Sequence, residues 1–212
     1  CASSLWFAGM SGFDAIAHAF PIIATAGFST HDVGFAYWDS STIDYISTFF
    51  MVASGLPFVL YVQFLRGDRG AFLRDEQVQW YLRILSGAIA ITVLWLYFIK
   101  GFELDKAVRY AAFNVTSVMT TTGFSSTDYA LWGGFFDTFI FMMSVVGGCT
   151  GSTTGGIKIF RFQILYQNAK TQLIQLIQPH AIVKMRYNGK TVSEAVTSSV
   201  MSFIILYGFS FM

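Results

Sequence analysis

The chain has 212 residues, of which 54% are hydrophobic, 18% aromatic and only 12% charged, with mean hydropathy +0.56 and net charge +1. Soluble domains carry about 25% charge, so this composition marks a membrane protein, and the balanced charge gives no basic surface for nucleic acid. Two cysteines, Cys1 and Cys149, supply no disulfide framework.

In chain order, the first apolar piece is 13–24, "FDAIAHAFPIIA". It is too short to cross a bilayer, which takes about 20 residues, but suits a re-entrant half-helix. It runs into the polar phrase "IIATAGFSTHD" at 22–32. The segment 43–65 is long enough to span, with a kink at Pro57 eased by Gly55. A second span covers 80–99, and a second short apolar piece, 106–119, leads into "VMTTTGFSSTD" at 118–128. A third span, 134–175, is interrupted by "GGCTGSTTGG", and a fourth opens near Thr191. The sequence starts on Cys and stops inside the apolar run "SFIILYGFSFM", so it is read as an internal piece of a longer protein.

Charge gives the orientation. Residues 157–190 hold Lys158, Arg161, Lys170, Lys184, Arg186 and Lys190 and no acid, whereas residues 1–42 hold no Lys or Arg. The positive-inside rule places the former in the cytoplasm and both polar phrases on the outer side. Lys100, Lys106 and Arg109 on the outer side are a mild exception.

The two phrases agree at five of eleven positions with an offset of 96, which aligns Gly27 with Gly123 and Asp32 with Asp128. Each follows a half-helix and precedes a span. The expected fold is therefore all-α and integral to the membrane, built from repeated helix–pore-helix–helix units. Residues 1–78 form one unit lacking its first helix, 79–177 a complete unit with a broken last helix, and 178–212 a cytoplasmic link and the first helix of another. A helix that stops midway leaves its last carbonyls unpaired and partly negative. Thr25-Ala26-Gly27 and Thr120-Thr121-Thr122-Gly123 add neutral oxygens at that end, and glycine lets carbonyls turn toward an axis. Neutral oxygens suit a dehydrated monovalent cation, and rings of backbone carbonyls build potassium filters.

"ATAGFSTHD", "TTTGFSSTD" and "GGCTGSTTGGIKIFR" together resemble the TrkH/TrkG/KtrB family of potassium-uptake proteins, over essentially the whole chain. Helix lengths and "FDAIAHAF" point to its TrkH branch. The resemblance implies four pore units around one axis, of which this chain holds most of the second, the third and the start of the fourth. It implies filter residues Thr25, Ala26, Gly27 and Phe28, with Thr121, Thr122, Gly123 and Phe124. It also implies a homodimer in the cell's inner membrane, in contact with lipid, and a cytosolic nucleotide-binding regulatory subunit of the RCK type. Potassium is then the transported ion, with no cofactor and no enzymatic activity.

The segment 147–156 has five glycines in ten residues, each costing a helix interior about 1 kcal/mol. The segment breaks the third span halfway, and a flexible polar loop there obstructs the path below the filter. The resemblance implies the same gating role for Gly147, Gly148, Gly151, Ser152, Thr153, Thr154, Gly155 and Gly156. Small-residue helix packing through Gly147, Gly151 and Gly155 is the bland alternative. A phosphate loop is excluded, because Ile157-Lys158-Ile159 replaces the required Gly-Lys-Ser/Thr. Asp14, Asp32, Asp128 and Asp137 concentrate cations at the mouth or cap helices, as Asp44 and Asp137 do at span starts. His18 is a packing or hydrogen-bonding residue. A secondary transporter for an organic solute, also built on discontinuous helices, is the alternative function.

Overall fold

The computed structural model describes residues 1–178 and 185–210. Lys184, part of the basic stretch, lies outside the described residues. The chain is mainly helical. It begins with α1 (Ala2–Phe7) and α2 (Gly12–Ala24), followed by α3 (Ser41–Ser54), α4 (Phe58–Leu65) and the single turn α5 (Ala71–Arg74). Then come α6 (Glu76–Phe98), α7 (Leu104–Met119), α8 (Gly134–Val145) and α9 (Ile159–Ile177). A two-stranded hairpin, β1 (Arg186–Tyr187) and β2 (Lys190–Thr191), precedes α10 (Glu194–Phe209).

The two half-helices are α2 and α7, of 13 and 16 residues. Ser11 caps α2 by accepting from the Asp14 amide, and Asp75 caps α6 by accepting from Gln77 and Val78. Among the described residues α6 is the one continuous helix long and apolar enough to cross a bilayer.

The expected span 43–65 is not one kinked helix. It is α3 and α4, set at 93° to each other across Gly55–Pro57. Pro57 has no amide proton and caps α4 in an extended conformation. The backbone groups released by the break find partners in the glycine segment. Cys149 N–H donates to Gly55 O (2.9 Å), and Phe58 N–H donates to Gly151 O (3.0 Å). At membrane depth an unpaired backbone group costs several kcal/mol, so the two breaks stabilise each other.

Packing joins the units. Phe113 of α7 and Phe124 lie in one buried cluster with Leu5, Ile22, Phe35, Ile43 and Met51 of the first unit. Small residues on α6 and α7, Ala88, Ala107 and Ala111, let those helices approach closely. Arg109 of α7 donates to Asp44 of α3 (2.7 Å) and to Asp39 (2.9 Å). Asp44 is 1% exposed, so this paired charge pins one unit to the next. Phe20, Phe49, Leu65, Phe98 and Ile177 are exposed, an apolar surface suited to lipid or further helices.

Candidate ion filter and the loop beneath it

The two polar phrases adopt the same backbone. Thr25 has φ 52° and Gly27 has φ 71°, while Thr121 has φ 58° and Gly123 has φ 85°; Ala26 and Thr122 between them have negative φ. Alternating hand turns successive carbonyls to one edge of the strand and the N–H groups to the other. The N–H edge is tied back to the half-helix. Ala26 N–H donates to Pro21 O (2.9 Å) and Thr122 N–H to Ser117 O (2.8 Å), which are equivalent bonds at the 96-residue offset. The threonine hydroxyls repeat the match, Thr25 donating to Ala24 O (2.8 Å) and Thr121 to Thr120 O (2.6 Å). Among the described residues no hydrogen bond reaches the carbonyls of 25–27 or 121–123. A β-branched residue at positive φ is an outlier that costs about 1–2 kcal/mol, and two at equivalent positions mark a strained backbone held for a purpose.

The strands touch. A Cβ on Gly27 would collide with the Thr122 carbonyl oxygen and lie 3.5 Å from Gly123 Cα. Glycine is thus required at 27 for both its φ and its close approach.

Each strand is stapled from behind by one side chain of its half-helix. Buried His18 donates from Nδ1 to Asp14 O (2.8 Å) and bonds Ser29 Oγ through Nε2 (2.9 Å). Its equivalent, Asn114, donates to Tyr110 O (2.8 Å) and Ser126 Oγ (3.0 Å) and accepts from Ser126 N–H (3.2 Å). Phe124 is 3% exposed and packs on His18, whereas Phe28 is 77% exposed. The predicted filter residues therefore come together, except that Phe28 faces away from the contacts Phe124 makes.

Asp14, in the first turn of α2, accepts from the Thr30 and Ser11 hydroxyls (both 2.7 Å). These bonds hold its carboxyl below the usual carboxylate range. Asp128 accepts from Ala130 N–H (3.0 Å) as a cap. Asp32 and Asp128 line one cleft with Ser125 and Thr127.

The segment 147–156 lies directly under the strands and is held in place rather than loose. Its neck closes through Gly147 N–H to Ile157 O and Ile157 N–H to Val145 O (both 2.9 Å). A Cβ at Gly147 would strike the Gly155 carbonyl, so this neck needs glycine. Gly155 N–H donates to Thr121 Oγ1 (2.6 Å), and Thr153 Oγ1 donates to Ile23 O (3.0 Å). The segment thus contacts the inner end of both walls. The Lys158 ammonium donates to Thr154 O, to Thr154 Oγ1 (3.0 Å) and to Ser152 O and Oγ (both 3.4 Å). The ordering follows from satisfied backbone, which glycine content alone does not reveal.

Sequence reasoning missed the Asp44–Arg109 pair, the Lys158 cage and the His18/Asn114 equivalence. The last was available in the 96-residue offset.

The model of the TrkH cation transport protein family matches residues 1–211. The chain belongs to that family. The potassium uptake protein TrkI of Halomonas elongata is 39% identical over 97% of this chain and 42% of its own length. TrkH of Escherichia coli K12 is 34% identical over 100% of this chain and 44% of its own. The crystal structure of the potassium transporter TrkH from Vibrio parahaemolyticus superposes with TM-score 0.94 at 32% identity, covering 99% of this chain and 46% of that one. The chain spans less than half the length of these relatives. Membership in the TrkH family makes this an all-helical integral membrane protein and not an enzyme, and it removes support from the organic-solute alternative.

Proposed function

We propose that this chain supplies two walls of a pore that takes up potassium across the membrane. Residues 1–78 are one pore unit without its first helix, 79–177 a complete unit, and 178–212 the link to another. The filter residues are Thr25, Ala26, Gly27 and Phe28 with Thr121, Thr122, Gly123 and Phe124. Their carbonyl edges replace the water around a potassium ion, and the negative ends of α2 and α7 favour a cation there.

The observation that carries this reading is the pair of equivalent strands, alternating in hand and meeting at Gly27 and Thr122. The bonds from Gly155 and Thr153 to the two walls support a second element, in which the loop of Gly147, Gly148, Gly151, Ser152, Thr153, Thr154, Gly155 and Gly156 blocks the path when the pore is closed. The filter faces outward and the Lys/Arg-rich side faces the cytoplasm, which for a bacterial uptake system means the inner membrane. The whole protein works as a dimer with a cytosolic nucleotide-binding RCK-type subunit. Support for this comes from the family's resemblance and from the named Trk systems among its relatives.

Rubidium uptake by the full-length protein tests both elements. Replacing Gly27 or Gly123 is expected to lower discrimination between potassium and sodium, more strongly at Gly27, and unchanged discrimination in both variants would remove the filter assignment. Shortening the loop is expected to raise flux, and unchanged flux would remove the gate.

A further inference from the structure

A continuous chain of hydrogen bonds joins the 186–191 hairpin to the glycine loop through one buried side chain. Gln77, in the first turn of α6, is 7% exposed. Its Oε1 accepts from the Thr150 backbone N–H (2.8 Å), and its Nε2 donates to the Tyr187 hydroxyl (2.5 Å). A backbone N–H only donates, so the amide orientation is fixed by its partners. The hairpin tip makes a second, parallel grip. Asn188 Oδ1 accepts from Glu76 N–H (3.0 Å), and its Nδ2 donates to Asp75 (2.8 Å), the cap of α6. The Tyr187 ring also packs edge-on to Phe160, 4.9 Å away, in the first turn after the loop. Burial pushes the Tyr187 hydroxyl well above the usual phenol range, so it keeps its proton at any physiological pH.

These links are not needed to hold the hairpin together, which has its own ladder, nor to cap α6, which Asp75 does alone. Their common effect is that the position of Thr150, in the loop, depends on the position of Tyr187, in the hairpin, through the two ends of one amide. We infer that Gln77 is a positioning residue that couples the hairpin to the loop, so that drawing the hairpin away from α6 releases Thr150 and frees the path. This inference rests on the gating reading of the loop. It gives a cytosolic partner that grips the hairpin a physical handle on the pore, through one side chain that reads both ends.

The test uses the full-length transporter with Thr150→Cys, an exposed position whose backbone N–H is retained. Tyr187→Phe keeps the ring packing and removes the hydroxyl; Gln77→Leu removes both bonds; Gln77→Glu keeps an acceptor for Thr150, and its second carboxylate oxygen can accept from the Tyr187 hydroxyl. Tyr187→Phe is expected to raise both thiol reactivity at position 150 and rubidium flux about three- to tenfold, the shift worth one net hydrogen bond. Gln77→Leu should do at least as much and be insensitive to a second change at Tyr187, and Gln77→Glu should restore the parent values. If shortening the loop raises flux while Tyr187→Phe and Gln77→Leu change neither readout, the coupling is overturned and the gate stands. Additive effects of the two variants would equally overturn it. If shortening the loop leaves flux unchanged, the gating reading fails, whatever the thiol shows.

Discussion

The two strands that follow the half-helices and the two helix breaks that come after them diverge in opposite ways. The strands keep one backbone and change side chains: Thr25 and Thr121 share a positive φ and the same hydroxyl bond, while His18 in one is Asn114 in the other. The breaks share a position and change backbone. After α3 the chain turns by 93° at Gly55–Pro57, whereas after α8 it makes a closed loop from Gly147 to Ile157 before α9. The proposed carbonyl ring tolerates only one geometry, so what varies there is the staple behind it. A break needs only that its freed backbone groups be paired, so one copy is free to enlarge into a device while the other remains its anchor.

This comparison can be broken first at the glycines. Gly27→Ala places a Cβ against the Thr122 carbonyl and forces φ 71° on a residue with a side chain. Gly123 has φ 85° with open space around its missing Cβ within this chain. Potassium-over-sodium discrimination is expected to fall by at least about tenfold for Gly27→Ala, where the clash adds to the strain of a left-handed residue, and by less for Gly123→Ala, where the strain acts alone. Equal losses, read from competing rubidium and sodium uptake, would mean the contact between strands is unimportant.

The joint between the units is the next target. Arg109→Met leaves Asp44, 1% exposed, without its partner. Breaking a buried pair costs about 3–5 kcal/mol, so thermal melting in detergent should drop sharply. The double variant with Asp44→Asn should recover part of the loss, since no unpaired buried charge remains; Asp39, the other partner of Arg109, is exposed.

The smallest effect sharpens the view that the staples are interchangeable in kind. His18→Asn and Asn114→His each keep a donor on the half-helix, and discrimination is expected to change less than for His18→Ala or Asn114→Ala. Each alanine change removes one staple, worth about 1 kcal/mol per hydrogen bond. Competitive uptake measures all four.

The half-helices, the polar phrases that end them and the break at 147–156 were legible in the sequence because each rests on local chemistry. Short apolar runs end where Thr and Gly begin, and five glycines cannot hold a helix. The positive φ of Thr25 and Thr121 was not legible, because β-branched residues disfavour it and only tertiary contacts enforce it. The 93° turn exceeded the kink expected of Pro57, because its size depends on the partners that Cys149 and Gly151 offer from 94 and 93 residues away. Gln77 gave no signal at all. A glutamine in the first turn of a helix is ordinary, and its meaning comes from Thr150 and Tyr187, which folding brings to its two ends.

The central claim is that the strands at 25–28 and 121–124 bind potassium through their carbonyl edges. Anomalous diffraction from crystals of the full-length protein grown in rubidium tests it most directly. The account predicts a rubidium peak between the two strands, within coordination distance of the carbonyls of residues 25–27 and 121–123. Rubidium found elsewhere in the membrane, with none between Gly27 and Gly123, would contradict it.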